Sequence, residues 1–199
     1  MEERLQGNPV SEGIAYAKSY IYIPGTLTKA PEFFPKGQEE EKYREFRESC
    51  EKADSELVTL YNGMCKEDPD KAKIFSAHRE LLQDEEILDE IRETICEENM
   101  NPDSAVSKVY TEFAELLSGV EDPLIAERAA DLRDVRDRLL RILSGQETSK
   151  LSSFSEDVIL VAHDLLPSDT ATMDRKHIKG ILTEVGGVNS HSAILARSY

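Results

Sequence analysis

From Tyr43 to Met64 the apolar or small residues fall at Tyr43, Phe46, Cys50, Ala53, Leu57, Leu60 and Met64, in steps of three and four. That spacing gathers side chains on one stripe of an α-helix, and a stripe this long has to be covered by other helices. Asp68-Pro69 interrupts the pattern, and Ile74, Phe75, His78, Leu81 and Leu82 begin another helix. Ile87, Ile91 and Ile95 continue a face beyond the acidic stretch Asp84-Glu85-Glu86. Asn101-Pro102 reads as a cap followed by proline in the first turn, and Val106, Val109, Phe113 and Leu116 line the helix behind it. Asp122-Pro123 repeats the device ahead of Leu132, Val135, Leu139 and Ile142, with Gly145 as a C-cap. Residues 36–143 are therefore expected to form a bundle of four or five helices.

The flanks obey a different period. Residues 10–23 alternate in part (Ile14, Tyr16, then Tyr20, Tyr22) behind Gly7, Pro9 and Gly13, which reads as one or two short strands. Residues 24–37 are turn-rich, and residues 144–157 are polar and rich in serine, so both read as linkers. Val158-Ile159-Leu160-Val161 is a short buried strand, Ser168 is placed to cap a helix through Met173, and residues 178–185 form a second strand. Gly186-Gly187 is a turn, and residues 190–197 begin a helix. That β-α-β-α order belongs to a parallel or mixed α/β layer. The fold class expected is α/β plus all-α: a discontinuous α/β domain built from residues 1–30 and 145–199, with an antiparallel helical bundle, residues 31–144, inserted between its halves.

Composition narrows the function classes. The chain has 199 residues, 39% hydrophobic and 32% charged, with a net charge of -16. Nucleic acid is repelled by such a charge, whereas a basic protein is attracted; the same charge also serves solubility alone. There is no apolar run long enough to span a membrane, and the acidic start MEERLQGNPVSEG is no secretory signal. Cys50, Cys65 and Cys96 fit no zinc spacing, and their odd number suits a reduced cytoplasm. No spacing of His, Cys, Asp and Glu suggests a metal site, and neither a P-loop nor a dinucleotide fingerprint occurs.

The chemistry concentrates at Glu184-Val185-Gly186-Gly187-Val188-Asn189-Ser190-His191-Ser192-Ala193-Ile194-Leu195-Ala196-Arg197. Two glycines allow a sharp turn out of a strand, and a histidine flanked by serines then opens a helix. Free N–H groups at a helix start attract anions, and a neutral imidazole is a competent nucleophile toward phosphorus. A capping or metal-binding histidine satisfies the local pattern equally well.

GGVNSHSAILAR resembles the phosphohistidine signature of phosphoenolpyruvate (PEP)-utilising enzymes, with Asn189 standing where threonine is usual. Val158-Ile159-Leu160-Val161-Ala162, Asp164-Leu165 and Pro167-Ser168-Asp169-Thr170-Ala171 are similar to Enzyme I of the sugar phosphotransferase system. So are Ile74-Phe75-Ser76-Ala77-His78 with Leu82 and Asp84-Glu85-Glu86, the segment Glu127-Arg128-Ala129-Ala130-Asp131-Leu132-Arg133-Asp134-Val135, and Gly13-Ile14-Ala15, which resembles that family's first strand.

The resemblance implies a swivelling phosphohistidine domain carrying an HPr-binding helical domain. His191 would take the phosphoryl group from PEP and pass it to a histidine of the protein HPr, with Thr170 hydrogen-bonding the histidine and Arg197 facing the phosphate. The partner surface it implies comprises His78, Leu81, Leu82, Glu85, Glu86, Ile87, Arg128 and Asp131. In that family a C-terminal barrel binds PEP and Mg²⁺ and forms the homodimer. Since the sequence stops at Tyr199, the expectation is a monomeric fragment that holds no cofactor, exchanges phosphate only with phospho-HPr, and has an α/β part less stable than its bundle. His163 and His177 are expected on loops or the surface. The rival readings are the swivelling domain of another PEP-utilising enzyme, such as pyruvate phosphate dikinase, and a non-enzymatic helical interaction module.

Overall fold

The computed structural model describes residues 7–22, 31–66, 68–120, 123–145, 151–185 and Ala193. The chain divides into two compact units. One joins Met1–Ile23 to Thr148–Tyr199, and the other is Pro24–Glu147.

The second unit holds, among the described residues, five helices: α1 Glu39–Met64, α2 Pro69–Leu82, α3 Glu85–Cys96, α4 Pro102–Ser118 and α5 Pro123–Leu143. The three-and-four spacing of α1 buries Phe46, Cys50, Ala53, Leu57 and Met64. Burial in this apolar setting pushes the Cys50 thiol up to about 12, so it behaves as a small core hydrophobe. The acidic stretch at Asp84 ends one helix and starts the next instead of carrying a face through. Asp84 accepts hydrogen bonds from the Glu86 and Ile87 N–H groups, as Asp68 does from Asp70 and Lys71. Asn101 makes no side-chain cap; the start of α4 rests on Pro102 at its first turn. The segment before α1 is strapped to the α3–α4 loop, with Phe34 N–H donating to Asn99 O at 2.9 Å and Asn101 N–H to Glu32 O at 2.8 Å. α4 and α5 form the most extensive helix pair and run antiparallel, with Thr111 meeting Arg136 and Ser118 meeting Arg133. Gly145, two residues past α5, has φ +72 and so turns the chain as a C-terminal glycine does.

In the first unit, β1 (Lys18–Tyr22), β2 (Val158–Ala162) and β3 (Ile178–Thr183) make a three-stranded parallel sheet in the order β1-β2-β3. The strand expected from residue 10 starts only at Lys18; Ile14 and Tyr16 are fully exposed, so Gly13-Ile14-Ala15 precedes the strand. One face of the sheet carries the core: Leu160 and Ala162 with Leu151, Leu165 and Met173, packed against Tyr20, Tyr22, Phe154, Ile178 and Ile181. The other face is apolar as well. Ile21, Val161 and Leu182 stand in one row of the register, yet Ile21 is 69% and Leu182 57% exposed. Between β2 and β3 runs α6 (Pro167–Thr172), preceded by Leu166. Ser168 does not cap it; the Asp169 carboxylate reaches back to the Leu166 N–H at 3.1 Å.

Candidate active site

The three strands end level. Tyr22, Ala162 and Thr183 share one register row, so every connection leaves the sheet at the same carboxyl edge. In open parallel sheets this edge is where ligands bind, because successive loops converge there. Beyond β2 the chain passes His163 and Asp164, buries Leu165 in the core, and enters α6. Beyond β3 it stays tied to β2: Glu184 N–H donates to Ala162 O and Val185 N–H to His163 O, each at 3.1 Å. The side chains repeat the tie, with Glu184 Oε2 2.7 Å from His163 Nδ1.

Thr170 is wholly buried in α6 at this edge, and its hydroxyl donates to Pro167 O at 2.9 Å. A hydroxyl whose proton is engaged still has lone pairs to accept with. Asp169, also buried, accepts from the Tyr22 hydroxyl at 2.8 Å. The glycine pair, His191 and Arg197 lie outside the described residues; of the helix expected over residues 190–197 only Ala193 is described, and it is helical and buried. Thr170 and the chain leading toward His191 therefore share one edge of one sheet.

The partner surface expected on the bundle needs correction. His78 is wholly buried, and Leu82 and Ile87 are each 2% exposed. Helical spacing explains it: Phe75, His78 and Leu82 form the inward stripe of α2, and Ile87, Ile91 and Ile95 that of α3. Glu85, Glu86 and Arg128 are exposed, and Leu81 and Asp131 are half-buried. The exposed part of the set is thus mainly charged, with Leu81 as its apolar member. His163 is exposed, whereas His177 is half-buried, its Nδ1 2.7 Å from Asp174 Oδ2. Tyr22 and Asp169 escaped the sequence reading, although an acid three residues after the residue preceding a proline-led helix is the signal of a backward cap. Among the described residues no group of three His, Cys, Asp or Glu side chains can hold a metal ion, and no described helix is long and apolar enough to cross a membrane.

The profile described as PEP-utilising enzyme, N-terminal, matches residues 6–128, and that of the PEP-utilising enzyme mobile domain matches residues 154–199. This chain belongs to the PEP-utilising enzymes. Among its relatives in that family is the phosphoenolpyruvate-protein phosphotransferase of Priestia megaterium, 39% identical over 199 residues, covering 100% of this chain and 34% of that protein. The protein of the same name from Bacillus subtilis is 38% identical over 197 residues, covering 98% of this chain and 34% of its own length. The chain thus spans about a third of the length of these relatives. The solution structure of an Enzyme I protein superposes with a TM-score of 0.74 at 37% identity, covering 95% of this chain and 77% of that one. The N-terminal domain of a nitrogen-branch Enzyme I, 24% identical with a TM-score of 0.69 and covering 96% of this chain and 78% of that one, shows the same fold. Within this member of the PEP-utilising enzymes, Thr170, His191 and Arg197 all fall in the part matched by the mobile domain.

Proposed function

We propose that this PEP-utilising enzyme chain acts as the N-terminal part of a phosphoenolpyruvate-protein phosphotransferase, in which His191 carries a phosphoryl group between PEP and a histidine of HPr. The observation that carries the reading is the arrangement at the sheet's carboxyl edge. β3 ends at the same edge where α6 holds Thr170, and the sequence that follows β3 resembles the phosphohistidine signature.

In the exchange with HPr, a ring nitrogen of His191 attacks phosphorus as the bond from phosphorus to the donor histidine breaks, so one P–N bond replaces another. The transition state is loose and in line, and positioning together with charge stabilisation does most of the work. An imidazole N–H donating to Thr170 Oγ1 would fix which ring nitrogen keeps the attacking lone pair. Arg197 would face the transferring oxygens. HPr would dock on the bundle at Leu81, Glu85, Glu86, Arg128 and Asp131, steered by the chain's acidity. PEP, Mg²⁺ and the homodimer contact are assigned to the part of the relatives that this chain does not span, and the cytoplasm is the compartment such a reaction requires.

The test is to incubate the chain with ³²P-labelled phospho-HPr. Acid-labile label on the parent, absent from His191→Ala of unchanged helicity, is expected. Label persisting in that variant refutes His191 as the carrier.

A further inference from the structure

One carboxylate at the sheet's carboxyl edge is taken out of water and answered from two elements at once. Asp169 is 8% exposed. Its Oδ1 accepts from the Tyr22 hydroxyl at 2.8 Å, and its Oδ2 accepts from the Leu166 backbone N–H at 3.1 Å. Tyr22 closes β1, and Leu166 immediately precedes α6. A buried carboxylate is costly unless donors face it, and hydrogen bonds to a charged acceptor are about twice as strong as neutral ones. The Tyr22–Asp169 contact therefore ties β1 to α6 across 147 residues of sequence.

The residue after Asp169 is Thr170. Its N–H bonds Leu166 O at 3.2 Å and its hydroxyl bonds Pro167 O at 2.9 Å, so both of its donors are spent within the first turn of α6. Its Oγ1 has no independent freedom: it goes where α6 goes. Leu165 and Met173 anchor the ends of that helix in the core. Between these anchors, the Tyr22–Asp169 tie fixes its rotation about its own axis.

We propose that Tyr22 and Asp169 are positioning residues for phosphoryl transfer at His191, acting by holding α6 so that Thr170 Oγ1 is presented at a fixed place. The assignment rests on the phosphohistidine reading above. Misplacement of a reacting group by about 1 Å costs on the order of 100-fold in rate, so a loosened tie has a measurable kinetic signature.

The experiment compares the parent chain with Tyr22→Phe, Asp169→Ala, Asp169→Asn and His191→Ala, each mixed rapidly with ³²P-labelled phospho-HPr. Both the labelling rate constant and the end-point stoichiometry are recorded. Tyr22→Phe deletes only the hydroxyl, and Asp169→Ala deletes both acceptors. Asp169→Asn can keep both bonds, because its carbonyl accepts from Leu166 and its amide donates to the tyrosine oxygen. The expected result is a rate about tenfold lower in Tyr22→Phe and lower still in Asp169→Ala, an end point equal to the parent's, and recovery toward the parent rate in Asp169→Asn. A purely structural role lowers the end point, through loss of folded protein, and leaves the rate constant of the remainder unchanged. That outcome, or parent rates in both Tyr22→Phe and Asp169→Ala, overturns the proposal while leaving His191 as carrier. A parent chain that takes no label, like His191→Ala, overturns both.

Discussion

His78 Nε2 lies 3.2 Å from Asp131 Oδ1, the ring wholly buried and the carboxylate 17% exposed. The ring bridges α2 and α5, and its Nδ1 faces the buried Asp134 carboxylate at 4.0 Å. A ring enclosed in this way serves the bundle from within and bonds Asp131, whose carboxylate keeps some contact with solvent.

Replacing His78 by Ala is therefore expected to destabilise the bundle by about 2–4 kcal/mol, because it empties a core position and removes the ring that Asp131 bonds. Urea unfolding followed by far-ultraviolet circular dichroism measures it. A loss under about 0.5 kcal/mol is what an exposed surface residue gives, and would contradict the buried bridge.

Glu85 and Glu86 behave in the opposite way. Both are exposed in the first turn of α3, where negative charge is favoured by the helix dipole. Reversing both to Lys is expected to cost at most about 1–2 kcal/mol of stability, to slow association with HPr about tenfold at low salt, and to flatten its salt dependence. Stopped-flow association at two ionic strengths decides it: rates unchanged by the reversal at both would move the docking surface elsewhere.

Asp174 is the pH-sensitive staple of the α/β unit. The His177 ring holds its carboxyl well below the ordinary aspartate value of 3.8, and the Phe154 N–H adds to this. Phe154 in turn packs edge-on against Tyr20 of β1. Because the folded form has the lower pKa, this stabilisation is fully present above about pH 4 and is lost as pH falls below it. Asp174→Asn should lower the thermal midpoint of the α/β unit at pH 7, and the gap to the parent should narrow steadily as pH falls below about 4. A gap that stays constant across that range would show that the carboxylate's charge is not what stabilises.

Gly180 sits on the exposed face of β3. A Cβ there meets Ile159 Cδ1 at 3.1 Å and Ala15 Cβ at 3.5 Å. Gly180→Val is expected to push the segment around Ala15 off the sheet and to cost about 1–3 kcal/mol. Limited proteolysis should then cut near residues 13–17 faster than in the parent, while the helices of the bundle keep the parent's resistance. Equal cleavage rates would mean that this segment does not depend on the missing side chain.

The linear order of residues was sufficient for much of this protein. Three-and-four spacing specified the helical bundle and the inward stripe of α1, since helical periodicity is local. The run Val158-Ile159-Leu160-Val161 announced a buried strand, and proline placed the starts of α4 and α5. The stretch around His191 carries the proposed chemistry only through its resemblance to the phosphohistidine signature, which is likewise a local pattern.

Tertiary structure decided what local spacing leaves open. Whether an apolar position faces the core or a partner depends on which helices cover it, so His78, Leu82 and Ile87 moved from the proposed surface to the interior. Whether residues 10–17 are strand depends on a neighbour to pair with, and pairing begins only where Lys18 meets Val158. The contact between Tyr22 and Asp169 is the clearest case. Two polar residues 147 positions apart become partners only because β1 lies beside β2 in parallel and their ends align in one register row. No periodicity along the chain encodes that alignment; it arises from the sheet, whose hydrogen bonds join segments that the sequence keeps far apart.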